Sequence, residues 1–111
     1  MRAIEFLAPM PDVNLFKAKA AYADFSRAKH LKDCSFIGAD LRRANFAYAD
    51  LRGAHFVTAD LTEAVFQGAN LRGADFVAAD FGEVELYDAE YDDDTEWPDH
   101  EFVPPAHAKR V

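Results

Sequence analysis

The chain has 111 residues, 50% of them hydrophobic, one cysteine, and a net charge of −8 from 20 acidic and 12 basic side chains. That length supplies a single core, the lone cysteine excludes an internal disulfide framework, and the acidic excess argues against direct binding to nucleic acid or to an anionic membrane. With no eighteen-residue apolar run and no leader-like apolar stretch near the N-terminus, the reading is a soluble, cytoplasmic protein whose natural partner is a basic surface.

Taken from the N-terminus, residues 1–12 present Ile4, Phe6 and Leu7 followed by Pro9 and Pro11, which predicts an apolar cap protected from strand addition by its prolines. From Val13 the text has a period of five. VNLFK, AKAAY, ADFSR and AKHLK open it, and one extra residue, at Lys32 or Asp33, then shifts the frame. From Cys34 twelve units follow without a break: CSFIG, ADLRR, ANFAY, ADLRG, AHFVT, ADLTE, AVFQG, ANLRG, ADFVA, ADFGE, VELYD and AEYDD. Each begins with a small residue and carries a large apolar one third, about sixteen units in all. This frame puts Ala20 and His30 at third places and Val65 at a normally polar second place, which predicts an irregular first coil with a local bulge.

A period of five matches neither the 3.6 of a helix nor the 2 of a strand, so the chain must turn every five residues. If each unit is one side of a square coil, four units close a turn and residues twenty apart stack at about 4.8 Å. The predicted inward columns are Phe36, Phe56 and Phe76; Leu41, Leu61 and Phe81; Phe46, Phe66 and Leu86; and Leu51, Leu71 and Tyr91, with the small first-place residues facing the same narrow interior. The A(D/N)LXX-type run from Ala23 to Tyr91 resembles the pentapeptide-repeat proteins. The following YDDDTEWPDHEFVPP is similar to the segment with which many members close their last coil. The resemblance implies an all-β fold, a right-handed quadrilateral β-solenoid of about four coils with short N- and C-terminal caps. The single domain then divides into a cap at 1–12, repeats at 13–91, and a C-terminal cap and tail at 92–111, where Trp97, Pro98, Phe102, Pro104 and Pro105 cover the open end.

No enzyme is legible. The chain has no Gly-rich phosphate loop, no HExxH and no GxSxG, and Cys34 falls at a core place. His30, His55, His100 and His107 lack metal-ligand spacing, and the Asp94-Thr95-Glu96 stretch lacks the glycine and alternating ligands of a calcium loop, so we expect no cofactor and no metal.

Charge placement is more informative. Residues 1–52 hold six acidic and nine basic side chains, whereas 53–111 hold fourteen acidic and three basic. The candidate partner-binding surface is therefore acidic: Asp60, Glu63, Asp75, Asp80, Glu83, Glu85, Asp88, Glu90, Asp92, Asp93 and Asp94. The bland alternative is a solvated face that keeps a repeat rod soluble. A second feature is an apolar seam of Phe16, Ile37, Val57 and Val77 at fourth places, suited to a partner or a homodimer, or simply to extended backbone. A third is a basic ladder of Lys32, Arg52 and Arg72, with Asp50 placed to screen it. Over four coils, roughly 19 Å, duplex DNA presents about eleven phosphates, the same order as the acidic half. Some pentapeptide-repeat proteins act as DNA mimics against DNA gyrase, and phage-encoded inhibitors of CRISPR complexes commonly use acidic mimicry. What the resemblance implies is thus a non-enzymatic DNA mimic that binds a basic DNA-binding complex, a CRISPR effector or a topoisomerase. Gyrase-protecting members are typically longer, which favours another target. The alternative is a scaffolding module that uses the seam or its ends without mimicry.

Overall fold

A computed structural model describes residues 14–111. The apolar group around Ile4, Phe6 and Leu7, and Val13 with it, lies outside the described residues.

The period of five has a backbone cause. In unit after unit the first-place N–H of the next unit donates to the third-place carbonyl, as in Ala39 to Phe36 at 3.1 Å and Ala54 to Leu51 at 3.0 Å. Each such bond closes a β-turn whose third member is the fifth-place residue, and from Lys17 to Asp88 that residue has φ between 55° and 69°. A positive φ at this position is the type II pattern and turns the chain sharply. Glycine meets it without strain at Gly53 and Gly68, and at Gly68 a Cβ would also lie 2.5 Å from the Tyr48 ring.

Between turns the chain pairs with itself about twenty residues on. Parallel bridges join Ser35 to His55, Asp40 to Asp60, Asn45 to Val65 and Asp50 to Asn70, then repeat one coil later. The result is a β-solenoid with four bridging positions per twenty residues. First- and third-place side chains fill its interior: Ala44, Phe46, Leu51, Ala54, Phe56 and Leu61 are wholly buried. Phe36, Phe56 and Phe76 stack nearly parallel at 4.9 and 5.0 Å, Phe25, Phe46 and Phe66 do so at 4.8 and 5.2 Å, and the two stacks meet edge to face. Each such aromatic pair adds about 0.5–1.5 kcal/mol to the burial itself.

Two expectations change. Pairing runs at 21 residues for Asn14, Lys19 and Asp24, and at 20 from Ser35 onward. Leu31 is wholly buried and Asp33 carries the positive φ, so the extra residue sits at Lys29–His30, not at Lys32 or Asp33. His30 is consequently half-buried, and Leu31 fills the core place assigned to it. At the other end the coil runs past Tyr91. A second one-residue offset pairs Asp75 with Glu96, Thr95 is buried at a first place, and its Oγ1 donates to the Leu71 carbonyl at 2.9 Å. Trp97 then stacks on Phe76 at 5.8 Å, Phe102 meets Phe81 edge-on at 5.3 Å, and strand β1 (Glu90–Tyr91) pairs in parallel with β2 (Lys109–Arg110). Among the described residues no helix is long and apolar enough to cross a membrane.

Candidate partner-binding surface

The turn explains the second place of each unit. The fourth-place N–H enters no backbone hydrogen bond, whereas every other position does. A second-place oxygen accepts from it instead: Asn14 from Phe16 at 2.9 Å, Asn45 from Ala47 at 2.9 Å, Asp50 from Arg52 at 3.3 Å. This local bond satisfies a group that would otherwise be orphaned.

Several candidate acids belong to that device. The Asp60 carboxylate accepts from the Thr62 N–H at 3.1 Å and its hydroxyl at 2.6 Å, Asp75 from Val77 at 3.0 Å, Asp80 from Gly82 at 3.0 Å, and Glu85 from Tyr87. In each, one oxygen is engaged and the other has no hydrogen bond among the described residues. Others are ion-paired: Glu63 with Arg43 at 2.8 Å, Glu90 with Arg72 at 3.2 Å, Asp88 with Lys109 at 3.5 Å, and Asp93 with Arg110. Asp92 accepts from the Gly73 and Asp94 N–H groups. The Glu83 and Asp94 carboxylates have neither kind of partner among the described residues.

The bridges place these acids around the perimeter. Asp40, Asp60 and Asp80 form one column, Asp75 and Glu96 end a second, Glu85 a third, and Asn70 and Glu90 lie in a fourth. The negative charge therefore girdles the last coils and is not confined to one strip. In the first coils the balance differs, because Asp40 and Asp50 are chelated by Arg42 and Arg52 through pairs of hydrogen bonds. Those bonds hold both carboxyls below the usual aspartate range.

Phe16, Ile37, Val57 and Val77 do stack outward in one column, tied by Lys17 to Ile37, Gly38 to Val57 and Thr58 to Val77. Phe16 and Val77 are 53% and 41% exposed, and Ile37 and Val57 are half-buried. The sequence reading missed that Pro98 extends this column through the Ala78 N–H. It ends beside an open cleft of about 500 Å³ lined by Val77, Trp97, His100 and Phe102. The signal was present in Thr95-Glu96-Trp97, which repeats the small, polar, large order after a one-residue skip. Lys32, Arg52 and Arg72 stack as a ladder, and Asp50 and Glu90 screen two of its members. Among the described residues no group of three or more His, Cys, Asp or Glu is placed to hold a metal ion. The Cys34 thiol is buried, and burial pushes it up to about 12.

The family model for a pentapeptide repeat region matches residues 29–95. The chain belongs to the pentapeptide-repeat family. The solenoid of this pentapeptide-repeat chain is accordingly right-handed. It is 40% identical, with a TM-score of 0.64 over 67% of its length, to a pentapeptide repeat protein of the Arabidopsis thaliana thylakoid lumen. To the pentapeptide repeat protein Rfr23 of the cyanobacterium Cyanothece 51142 it is 32% identical, with a TM-score of 0.60 over 76% of its length. The match spans 52% and 60% of those two chains. A looser likeness, 17% identical at a TM-score of 0.41, is to QnrB1, a plasmid-mediated fluoroquinolone resistance protein, and is too remote to speak to partners. No curated protein sequence matches.

Proposed function

We propose that this chain is a non-enzymatic protein ligand whose acidic C-terminal coils occupy the DNA-binding surface of a basic, cytoplasmic nucleic-acid machine and compete with DNA. A CRISPR effector and a topoisomerase such as gyrase are the target classes to test, and the scaffold is a four-sided coil of about four turns. One observation carries this reading: the charge exceeds what the fold requires. Neutral Asn14, Asn45 and Asn70 cap their turns as well as an aspartate does. Asp60, Asp75 and Asp80 fill the same role with an added negative charge. Their carboxylates are held by local hydrogen bonds on a stiff stack, so little ordering entropy is lost on binding.

The same fact gives a clean experiment. D60N, D75N and D80N, with E83Q and E85Q, remove five charges while keeping each local acceptor. We expect the combined variant to melt within a few degrees of the parent. It should no longer retain DNA-binding proteins from a bacterial lysate at low salt, nor displace labelled duplex DNA from the protein that the parent captures, a loss of at least tenfold. Undiminished capture and displacement by the folded variant refutes mimicry.

A further inference from the structure

The last side of the coil, Thr95-Glu96-Trp97-Pro98-Asp99, departs from the others at one residue. Glu96 stands at the second place, where Asp60, Asp75 and Asp80 each accept from a fourth-place N–H. The fourth place here is Pro98, which has no N–H to give. The Glu96 carboxylate therefore has no turn to cap, and among the described residues it has neither a hydrogen bond nor an ion pair. Only its backbone is engaged, with the Ala74 carbonyl at 2.9 Å and the Phe76 N–H at 2.8 Å. The side chain borders the open cleft of about 500 Å³, whose apolar wall is Val77, Trp97, Pro98 and Phe102 and whose second acid is Asp99. Asp99 is held in place: its Oδ1 accepts from the Glu101 and Phe102 N–H groups, both at 2.9 Å, and its Oδ2 has no hydrogen bond among the described residues. Trp97 is backed by Phe76 and lies against Phe102, ring centroids 5.0 Å apart and tilted by 30°. Nearby bases do not neutralise the two acids. Arg72, Lys109 and Arg110, the three Lys or Arg residues of 53–111, are paired with Glu90, Asp88 and Asp93.

We infer that this cleft receives an arginine side chain of a basic partner. An apolar wall beside two carboxylates matches a side chain with an apolar stem and a cationic head. A guanidinium suits it better than an ammonium, being planar, weakly hydrated, able to stack on aromatic rings and able to meet carboxylate oxygens through a fork of donors. A cage for a methylated ammonium sets aromatic rings apart around the charge, whereas Trp97 and Phe102 lie against each other. The size of the cleft falls within the range of about 300–1,000 Å³ usual for small-ligand sites. Residues 96–99 lie beyond 29–95, the stretch that matches the family pattern, so the repeat does not dictate them. The inference rests on the proposed function only for the source of the arginine, a DNA-binding surface.

Trp97 is the sole tryptophan, so its emission reads the cleft directly. Titration at pH 8 with Nα-acetyl-arginine amide, its citrulline counterpart and Nα-acetyl-lysine amide compares a guanidinium with a neutral isostere and with an ammonium. We expect a saturable change with the arginine compound, about tenfold weaker binding of the citrulline one and about threefold weaker binding of the lysine one. E96Q removes a charge that caps nothing, so it should melt with the parent and bind the arginine compound about tenfold more weakly. Should E96Q not fold, D99N, which keeps the Oδ1 acceptor, decides in its place. A parent without a saturable response, citrulline binding as tight as arginine, or unchanged affinity in the folded variant overturns the site. Lysine binding as tight as arginine overturns the choice of guanidinium. Neither Glu96 nor Asp99 is among the five acids neutralised in the DNA-competition experiment, so failure of mimicry and failure of this site are read separately.

Discussion

At a second place the side chain must accept a hydrogen bond from the residue two along, and at a fifth place the backbone must turn left-handed. Neither demand has to do with the core, yet both are written every five residues. Aspartate and asparagine answer the first. The second is met by glycine at Gly38, Gly53, Gly68 and Gly73, and by ordinary residues elsewhere, such as Arg43 and Tyr48 with φ near 60°. Left-handed backbone costs a non-glycine residue about 1 kcal/mol or more, which the buried columns must offset. Cys34 shows how strictly the first place is dry. Burial raises its thiol from 9.0 to about 12, so the folded state holds the proton more tightly than the unfolded chain does. The stability this gives is complete below pH 9 and is lost as pH rises towards 12. We therefore expect alkaline pH to destabilise the parent more than Cys34→Ala, and a thiol reagent at neutral pH to label Cys34 only on unfolding. Labelling at the rate of a free thiol contradicts the burial. Asp40 and Asp50 have the opposite sign: their carboxyls are depressed, and what they contribute fades as pH falls below about 4.

The coil is the unit in which side chains become a core. Its columns were legible because Phe and Leu alternate at a fixed interval, and residues twenty apart in the list are the ones that stack. The two offsets were harder to place. Near Lys29 the frame break was visible, but a residue count alone does not say which side of Leu31 the extra residue falls. Burial decides it, since leucine is far better suited than histidine to a dry column. Near Asp92–Asp94 three aspartates hide the skip, and the tail reads as a cap over the open end when its Thr95–Asp99 segment is one more side of the coil. Trp97 makes the difference testable. It continues the Phe36, Phe56 and Phe76 stack and also contacts Phe81, Tyr91 and Phe102. Trp97→Ala should cost about 2–3 kcal/mol, below the value for a fully enclosed aromatic because the indole is only half-buried. Urea unfolding measures this, and a loss under 0.5 kcal/mol would mean that the last coil is not packed on the rest.

For the whole molecule, charge and fold were legible to different depths. Composition gave the gradient from basic to acidic directly. It did not reveal that nine of the eleven candidate acids have structural or ionic employment, because a turn that needs an acceptor and a surface that attracts a basic partner select the same residue. The neutral substitutes at Asn14, Asn45 and Asn70 separate the two demands. The seam was legible as a spacing, and its continuation to Pro98 became apparent once the Ala78 N–H was placed on the Pro98 carbonyl.

The offset at Lys29–His30 has a consequence for how the molecule comes apart. The sides that begin at Ala18 and Ala23 each make three backbone hydrogen bonds to the next coil, whereas the side that begins at Ala28 makes two, Asp50 N–H to the Ala28 carbonyl and Asp33 N–H to the Arg52 carbonyl, so the first turn is held more thinly to the second along that line. In a stack whose stability is nearly a sum of neighbour-to-neighbour terms, a weak junction is where a crack opens. Amide hydrogens upstream of Leu31 should exchange with deuterium as one cooperative block, well ahead of those between Phe36 and Phe76. If the entire stack exchanges at one rate, the offset is mechanically silent and the solenoid opens as a single body.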